Sequence, residues 1–235
     1  MISVCMATYK GEHYVAEQLR SILSQLGEKD EVIVSDDHSP DNTLQVIRDL
    51  NDPRVKLSLN PGERGYAKNF EHALSQANGD YIFLSDQDDV WVPGKVEKMM
   101  KALEKDALVV SDAAIVDGDL KTLIPSHFAL YGVKTGFWYN FAKTRYIGAC
   151  MAFRKELLKK VLPMPKNQKL CAHDYWIMLV GEAYFSVGLV EEPLLLYRRH
   201  GGNASTGGVK STNSLAHKLQ VRSYCLGHLL VRKFV

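Results

Sequence analysis

Short apolar runs alternate with segments of helical periodicity through the first 105 residues of the chain. The runs 2–7, 31–35, 55–59 and 81–84 have the length and composition of buried strands. Between and after them, apolar residues recur at helical spacing in the segments 15–26, 44–50, 70–77 and 96–103. Strands that alternate with helices form a parallel sheet covered on both faces, with right-handed crossovers. The pattern therefore predicts an α/β fold with a Rossmann-like, mostly parallel central sheet flanked by helices.

Polar residues follow three of the predicted strands at the point where each strand ends. Thr8 and Tyr9 follow the first strand, Asp36 and Asp37 follow the second, and an acidic cluster follows the run 81–84. The carboxyl ends of parallel strands lie at one edge of a sheet, which is where open α/β proteins bind ligands. We therefore expect these three loops to converge on one nucleotide-like ligand.

The acidic cluster contains Asp86, Asp88 and Asp89. Carboxylates this close repel one another unless a cation compensates them, and hard oxygen ligands suit Mg²⁺ or Mn²⁺. A solvated polar turn, with Asp89 capping the following helix, accounts for the same residues equally well. The spacing alone leaves both interpretations open.

Two common nucleotide-binding motifs are absent from the sequence. It has no Gly-x-x-x-x-Gly-Lys-Ser/Thr phosphate loop, and the turn at residues 7–11 lacks the Gly-x-Gly-x-x-Gly pattern of nicotinamide and flavin enzymes. Because a glycine cradle for phosphate is missing, a metal at Asp86 and Asp88 would have to neutralise any bound diphosphate.

Composition excludes several other classes of protein. The net charge of +2 gives no indication of a nucleic-acid partner, and no apolar run approaches the length of a membrane span. The amino terminus shows no basic leader or cleavage pattern, which predicts a cytoplasmic protein. The four cysteines are far apart in sequence, so we interpret them as reduced thiols rather than disulfides or zinc ligands.

The second half of the chain is less regular. We expect strands at 107–116 and 147–153, a long loop region at 125–140 and a helix that begins at His173 and Asp174. Residues 213–235 predict a basic amphipathic helix that either packs on the domain or attaches to an anionic membrane surface. Its predicted apolar side consists of Leu215, Leu219, Leu226, Leu230 and Phe234.

Taken together, these segments resemble glycosyltransferase family 2, the inverting enzymes with the GT-A fold. The residues at 85–91, Ser-Asp-Gln-Asp-Asp-Val-Trp, carry the resemblance together with Asn203 and the segments 8–12, 34–39, 65–70, 77–82, 172–176 and 197–200. A lone Asp-x-Asp is a weak signal, whereas this ordered set is specific and covers nearly the whole chain. The last segments are similar to the branch that makes bacterial surface polysaccharides, which includes many rhamnosyltransferases.

The resemblance implies a nucleotide site in the first half of the chain. Tyr9 matches the position that stacks on the base, and Asp37 matches the acid that accepts a hydrogen bond from the base N3–H. Uracil and thymine both offer that donor, so the resemblance implies a UDP- or dTDP-sugar without separating them. The matching nucleotide-binding residues are Thr8, Tyr9, Asp37, Lys68, Asn69 and Asp86.

The resemblance also implies a metal site and a catalytic base. Asp88 matches the principal ligand for Mn²⁺ or Mg²⁺, and Asp86 and His200 would complete the implied metal shell. Asp174 matches the base, although most members have Glu-Asp where this chain has His173-Asp174. Residues near the diphosphate or the acceptor are Arg198, Arg199 and His173.

The expected protein is thus a metal-dependent inverting glycosyltransferase in bacterial surface polysaccharide synthesis. It would transfer a sugar to a hydroxyl of a glycan or polyprenyl-linked acceptor, in the cytoplasm at the inner face of the membrane. A catalytically inactive nucleotide-sugar-binding protein and a nucleotidyltransferase are the alternatives. We expect a single domain, 1–235, with a nucleotide-sugar-binding half (1–105), an acceptor-side half (106–212) and the helix at 213–235.

Overall fold

The computed structural model of the protein describes residues 1–200 and 214–234. Two features of the sequence analysis, Asn203 and the side chain of Phe234, lie outside what is described. Within the described residues, one mixed sheet has the strand order β3-β2-β1-β4-β8-β6-β9-β5, with β7 paired to β6. The strands are β1 Ile2–Thr8, β2 Glu31–Asp36, β3 Val55–Leu59, β4 Tyr81–Ser85, β5 Val90–Trp91, β6 Leu108–Val116, β7 Thr122–Ile124, β8 Met151–Arg154 and β9 Val187–Arg198.

Helices cover the sheet and alternate with the strands of the first half as predicted. The α-helices are α1 Val15–Leu23, α2 Thr43–Asp49, α3 Tyr66–Ser75, α4 Lys95–Leu103, α5 His127–Tyr131, α6 Phe137–Ala142, α7 Leu158–Val161, α8 His173–Tyr184 and α9 Leu215–Val231. Short 3₁₀ segments lie at Gly148–Cys150, Lys155–Leu157 and Arg232–Phe234.

The first four strands of the chain are parallel, and their carboxyl ends lie at one edge of the sheet. β1 lies between β2 and β4, with Thr8 opposite Asp36 and Met6 opposite Ser85. Every residue of β2 is buried, which accounts for its run of apolar side chains. This register brings the polar residues after β1, β2 and β4 to a common edge, as the sequence predicts.

The second half continues the same sheet in a different pattern. β8 pairs antiparallel with β4 and with β6, whereas β6 and β9 are parallel. The short β5 follows the acidic cluster directly and pairs antiparallel with β9, with Val90 opposite Leu196. This pairing carries the end of β9 to the acidic cluster.

The segment predicted as a loop at 125–140 contains two short helices instead. Ser126 caps α5 by accepting a hydrogen bond from the Ala129 amide at 3.0 Å. In α6, the buried Asn140 donates to Glu182 of α8 at 2.8 Å. These helices depend on contacts with distant residues, which periodicity cannot show. The segment 147–153, predicted as a strand, also begins with a 3₁₀ turn before β8.

The C-terminal helix is present, but three leucines of its predicted apolar side do not pack on the domain. Ser214 caps α9, and Cys225 and Leu229 are its buried residues. Leu215, Leu219 and Leu230 are exposed. The interpretation of α9 as a helix that buries this apolar side is therefore wrong. None of the described helices combines the length and the apolar character needed to cross a membrane.

Candidate active site

The end of β1 is held by a buried network of polar side chains. Thr8 Oγ1 donates to Asp36 Oδ2 at 2.8 Å, and Asn69 of α3 donates to the Thr8 carbonyl at 3.1 Å. Asn69 Oδ1 accepts from Ser35 Oγ at 2.5 Å. Thr8 and Asn69 are only 1% and 2% exposed, so their visible role is to set the position of the loop that follows.

Tyr9 and Asp37, the predicted partners of the base, lie in that loop and at the end of β2. Tyr9 is 45% exposed, as a ring that stacks on a ligand would have to be. Asp37 is buried, and its two oxygens accept from Asn60 Nδ2 at 2.9 Å and from the Gly65 amide at 2.8 Å. A carboxylate offers about four acceptor sites, so these two bonds leave capacity for a base N3–H.

Gln87, which the sequence analysis did not single out, joins the acidic cluster to the first loop. Its side chain accepts from the Tyr9 amide at 2.8 Å and donates to the Tyr9 carbonyl at 2.9 Å. A Cβ at Gly11 would lie 2.4 Å from Gln87 Oε1, so only glycine leaves space for this contact. The central residue of the Asp-x-Asp pattern therefore sets the distance between the base loop and the acids.

Three carboxylates converge at this edge. Burial, followed by the negative charges of Asp88 and Asp174, raises the pKa of Asp86 to about 7. Asp174 is in the first turn of α8, where its Oδ1 accepts from the Tyr175 amide at 2.7 Å. A Cβ at Gly148 would lie 3.2 Å from Asp174 Cβ, so the turn before β8 packs directly on the start of α8. The structure thus brings the predicted base to the predicted metal ligands.

Asp88 is paired with His200 beyond the end of β9. His200 Nε2 lies 2.9 Å from Asp88 Oδ2, and both side chains are largely buried. The His200 ring packs on Tyr14 with centroids 4.8 Å apart, and Arg198 lies over the same tyrosine at 4.7 Å. Tyr14, which the sequence analysis did not identify, therefore contacts both Arg198 and His200.

Arg198 is built into the scaffold of the site. Its guanidinium donates to the carbonyls of Asp88 at 2.8 Å and Gly118 at 2.5 Å, and it forms an ion pair with Glu17 of α1. The Arg199 amide donates to the carbonyl of Val116, the last residue of β6, and the Arg199 side chain is half-buried. The structure therefore shows Arg198 supporting the acidic loop, and the diphosphate roles of both arginines stay predictions.

Asp89, the third residue of the acidic cluster, is fully buried. Its Oδ1 accepts from the Arg198 amide at 2.9 Å, and Oδ2 has no hydrogen-bond partner among the described residues. Burial, with the charges of Asp86 and Asp88, raises its pKa well above the usual range. Asp89 therefore anchors β9 rather than capping α4, whose N-cap is Gly94.

His173 lies in an aromatic wall beside Asp174. Its ring stacks on Phe70 with centroids 4.0 Å apart and meets Tyr66 edge-on at 5.8 Å. Burial lowers the His173 pKa, so the imidazole is neutral near pH 7. Neither ring nitrogen has a hydrogen-bond partner among the described residues.

Lys68, a predicted nucleotide-binding residue, forms an ion pair with Glu71 at 2.6 Å, one turn away on α3.

The residues suit a divalent cation only in part. No set of three or more His, Cys, Asp or Glu side chains within residues 1–200 and 214–234 is arranged to hold a metal ion. Asp86, Asp88 and His200 nevertheless supply carboxylate and imidazole donors, and the convergent negative charge favours a cation. Mg²⁺ is commonly bound by one or two carboxylates plus substrate phosphates, which fits this incomplete protein shell.

Comparisons with known proteins identify the family of the chain. The family model described as Glycosyl transferase family 2 matches residues 3–162. The chain is 32% identical to dTDP-rhamnosyl transferase RfbG of Shigella flexneri over 216 residues, which is 84% of this chain and 72% of that protein. Over 105 residues, 45% of this chain and 42% of the relative, it is 33% identical to UDP-Glc:alpha-D-GlcNAc-diphosphoundecaprenol beta-1,3-glucosyltransferase WfgD of Escherichia coli.

Among solved structures, the fold is similar to TarS 1-349 of S. aureus in complex with UDP-GlcNAc. The TM-score is 0.68 at 20% identity, over 99% of this chain and 72% of that one. At 20% identity this similarity shows the fold alone, and it confirms the predicted α/β fold of the GT-A type for this chain.

Proposed function

The chain belongs to glycosyl transferase family 2 and is a glycosyltransferase, and on that premise we propose that it moves a sugar from a UDP- or dTDP-sugar to an acceptor hydroxyl. The reaction inverts the anomeric carbon and serves bacterial surface polysaccharide synthesis. The observation that carries this proposal is the convergence of Asp174 with Asp86 and Asp88 at the carboxyl edge of the sheet. An inactive binding protein would have no need for a base beside the diphosphate site.

Asp174 acts as the general base. An acceptor hydroxyl attacks the anomeric carbon while the bond to the nucleoside diphosphate breaks, and the hydroxyl proton passes to Asp174. The Tyr175 amide binds Oδ1 and orients the carboxylate at the start of α8. A positioned general base contributes about 10²- to 10⁴-fold in rate.

Asp86, Asp88 and His200 would hold Mn²⁺ or Mg²⁺ beside the donor diphosphate. When bound, the cation neutralises charge that develops on the leaving diphosphate. Asp88 and His200 are already adjacent, and Arg198 fixes the Asp88 backbone from the other side. Cation binding would also relieve the repulsion from Asp88 and Asp174, which adds to burial in raising the pKa of Asp86.

The nucleotide lies between the loop after β1 and the end of β2. Tyr9 stacks on the base, Asp37 accepts its N3–H, and the buried Thr8 and Asn69 keep that loop in place. A pyrimidine dione satisfies Asp37, which agrees with a dTDP-sugar in the name of one relative and a UDP-sugar in that of another. Lys68 lies on α3, which packs against β1 and β2, and Arg199 directly follows β9.

The acceptor is a glycan or a polyprenyl-linked sugar. The name of WfgD specifies a diphosphoundecaprenol acceptor, which agrees with a lipid-linked substrate for this chain. An enzyme that acts on such an acceptor works at the inner face of the membrane, and the segment 214–235 provides the contact.

Thermal stabilisation by nucleotides tests the proposal. The purified chain is heated with UDP, dTDP, GDP or CDP, with and without Mn²⁺. A metal-dependent increase in Tm with UDP or dTDP alone is expected, and Asp88→Asn should remove it. Asp119→Asn, at an exposed turn, is the matched control and should keep it. Equal shifts with all four nucleotides, or none with any, would contradict the proposed donor class.

A further inference from the structure

The two halves of the chain carry opposite charge. Residues 1–105 contain 12 Lys and Arg against 18 Asp and Glu, whereas residues 106–235 contain 17 against 9. The net charge of +2 is therefore the difference between an acidic nucleotide half and a strongly basic acceptor half. No acid occurs in α6 or α9. Charge asymmetry of this kind points to an anionic partner for the basic half.

The same half exposes apolar side chains. On α9, Leu215 is 74% exposed, Leu219 57%, Leu230 59% and Val231 64%. Trp138 on α6 is 73% exposed. The water-facing stripe of α9, which also includes Ala216, Gln220, Ser223 and Gly227, carries no charge. Clustered exposed leucines beside an exposed tryptophan are unfavourable in water unless a partner covers them.

These side chains lie on adjoining elements. The Arg222 guanidinium of α9 donates to the carbonyl of Ala142, the last residue of α6, and Trp138 precedes Ala142 by one helical turn. On the other side, Tyr224 accepts from the Asn167 amide at 3.0 Å, which places α9 against the loop that contains Lys166 and Lys169. We name the combined area the α6–α9 surface. It comprises Trp138, Leu215, Leu219, Leu230 and Val231, with the exposed Lys143, Lys166, Lys169 and Lys233.

We propose that the α6–α9 surface docks on an anionic lipid bilayer. The leucines and Val231 would enter the boundary between headgroups and acyl chains, where Trp138 has both its apolar ring and its N–H satisfied. The lysines at its margin would contact anionic headgroups. Charge complementarity favours this occupant over a second copy of the chain, because two identical basic surfaces would repel each other.

Docking would bring the active site to a lipid-linked acceptor, and in this respect it rests on the proposed function. The Cys225 thiol of α9 donates to the Leu170 carbonyl at 3.4 Å. Leu170 lies four residues before Asp174, so the segment that leads to the base packs directly on the docking helix. The α6–α9 surface and the base are thus held by one contiguous piece of structure.

Trp138 gives the docking a direct spectroscopic readout. The other two tryptophans, Trp91 and Trp176, are at most 2% exposed. A blue shift in emission when vesicles are added therefore reports Trp138. The full-length chain is titrated with vesicles of phosphatidylglycerol mixed with phosphatidylcholine, and with pure phosphatidylcholine. We expect a blue shift with the anionic vesicles only, weakened by salt and abolished by Trp138→Phe.

Cosedimentation with the same vesicles separates charge from apolar insertion. Lys143→Gln with Lys233→Gln should weaken binding about fivefold per lysine, since each charge near an anionic surface contributes about 1 kcal/mol. Leu219→Gln with Leu230→Gln should weaken it at high salt as well. Two matched controls change exposed residues of the acidic half and should bind like the wild type. They are the double variant Lys29→Gln with Lys101→Gln, and the single variant Leu59→Gln.

Absence of binding to anionic vesicles would overturn the docking proposal, as would equal losses in the controls. If the wild type forms a dimer and does not bind vesicles, and if Leu219→Gln with Leu230→Gln makes it monomeric, the surface would be assigned to a second copy instead. The nucleotide-dependent Tm shift is measured on every variant. If it persists while vesicle binding fails, the proposed function stands and only the docking is lost.

Discussion

At the scale of single residues, Asp86 has the most informative environment. Its pKa is raised from 3.8 to about 7 by burial and by the charges of Asp88 and Asp174. Between those two values the folded protein binds more protons than the unfolded chain. Without metal, the contribution of Asp86 to the free energy of unfolding should therefore fall as pH rises from about 4 to about 7 and then level off.

The variant Asp86→Asn tests this dependence. It removes the titrating group, so Tm at pH 8 without metal should rise, and the fall in Tm between pH 5 and 8 should become smaller. Mn²⁺ should stabilise the wild type more at pH 8 than at pH 5, because protons compete with the cation for the same carboxylate. A variant less stable than the wild type at pH 8 would contradict the electrostatic explanation. Asp119→Asn is the control at an exposed position.

Asp174→Asn tests the general base. We expect kcat to fall about 10²- to 10⁴-fold while the nucleotide-dependent Tm shift is kept, because the base contacts the acceptor hydroxyl and not the nucleotide. Tyr175→Phe retains the backbone amide that orients Asp174 and serves as a comparison that leaves the carboxylate intact. A parallel loss of nucleotide binding and turnover would show that Asp174 organises the donor site instead.

The site residues differ in how far the sequence could predict them. The acids and the partnership of Asp88 with His200 were predictable, because they belong to an ordered set of motifs. Gln87 and Tyr14 were not, since a glutamine between two acids and a tyrosine before a helix carry no signal of their own. Their roles depend on which distant backbone or ring they meet, and only the folded chain defines that.

At the scale of elements, the loop after β1 and the loop after β4, which contains Asp86 and Asp88, act as one unit through Gln87. In Gly11→Ala, the new Cβ would displace the Gln87 side chain and break both bonds to Tyr9. Overpacking of this kind costs about 1–3 kcal/mol. We expect Gly11→Ala and Gln87→Ala to weaken UDP or dTDP binding, and the double variant to be little worse than either single one.

Calorimetric titration with the nucleotide in the presence of Mn²⁺ measures this coupling. Gly118→Ala is the matched control, since nothing lies within 4 Å of its added Cβ. Additive losses in the double variant would mean that Gly11 and Gln87 act independently, which would refute the link between the two loops.

Regular elements were easier to predict than irregular ones. The first four strands and the first four helices follow from the sequence pattern, because three of these strands are buried apolar runs and the helices carry apolar residues at helical spacing. The helices α5 and α6 do not, because they are stabilised by Ser126 accepting from Ala129 and by Asn140 reaching Glu182. For α9, the spacing of leucines indicated an apolar side correctly but could not show that this side faces solvent.

At the scale of the whole molecule, the proposed nucleotide and acceptor halves share one sheet. β8 pairs with both β4 and β6, and β5, from the nucleotide half, pairs with β9 at the far end. The α/β class was predictable from the alternation of strands and helices. The antiparallel pairings of β8 with β4 and of β5 with β9 were not predictable, since they join residues about 70 to 110 positions apart.

This continuity predicts that the chain unfolds as a single unit. Leu84 lies in β4 of the nucleotide half and Leu179 in α8 of the acceptor half, and both are fully buried. Leu84→Ala and Leu179→Ala should each lower stability by about 2–5 kcal/mol. Trp91 and Trp176 are buried reporters in the two halves, so each leucine variant is denatured in a Trp91→Phe and in a Trp176→Phe background. Either leucine change should shift the denaturation midpoint equally for both tryptophans and for far-UV circular dichroism, because β4, β8 and β6 cannot separate without breaking the sheet. A change that shifts the midpoint only for the tryptophan of its own half would show two independently folding units, and the single-domain prediction would then be wrong.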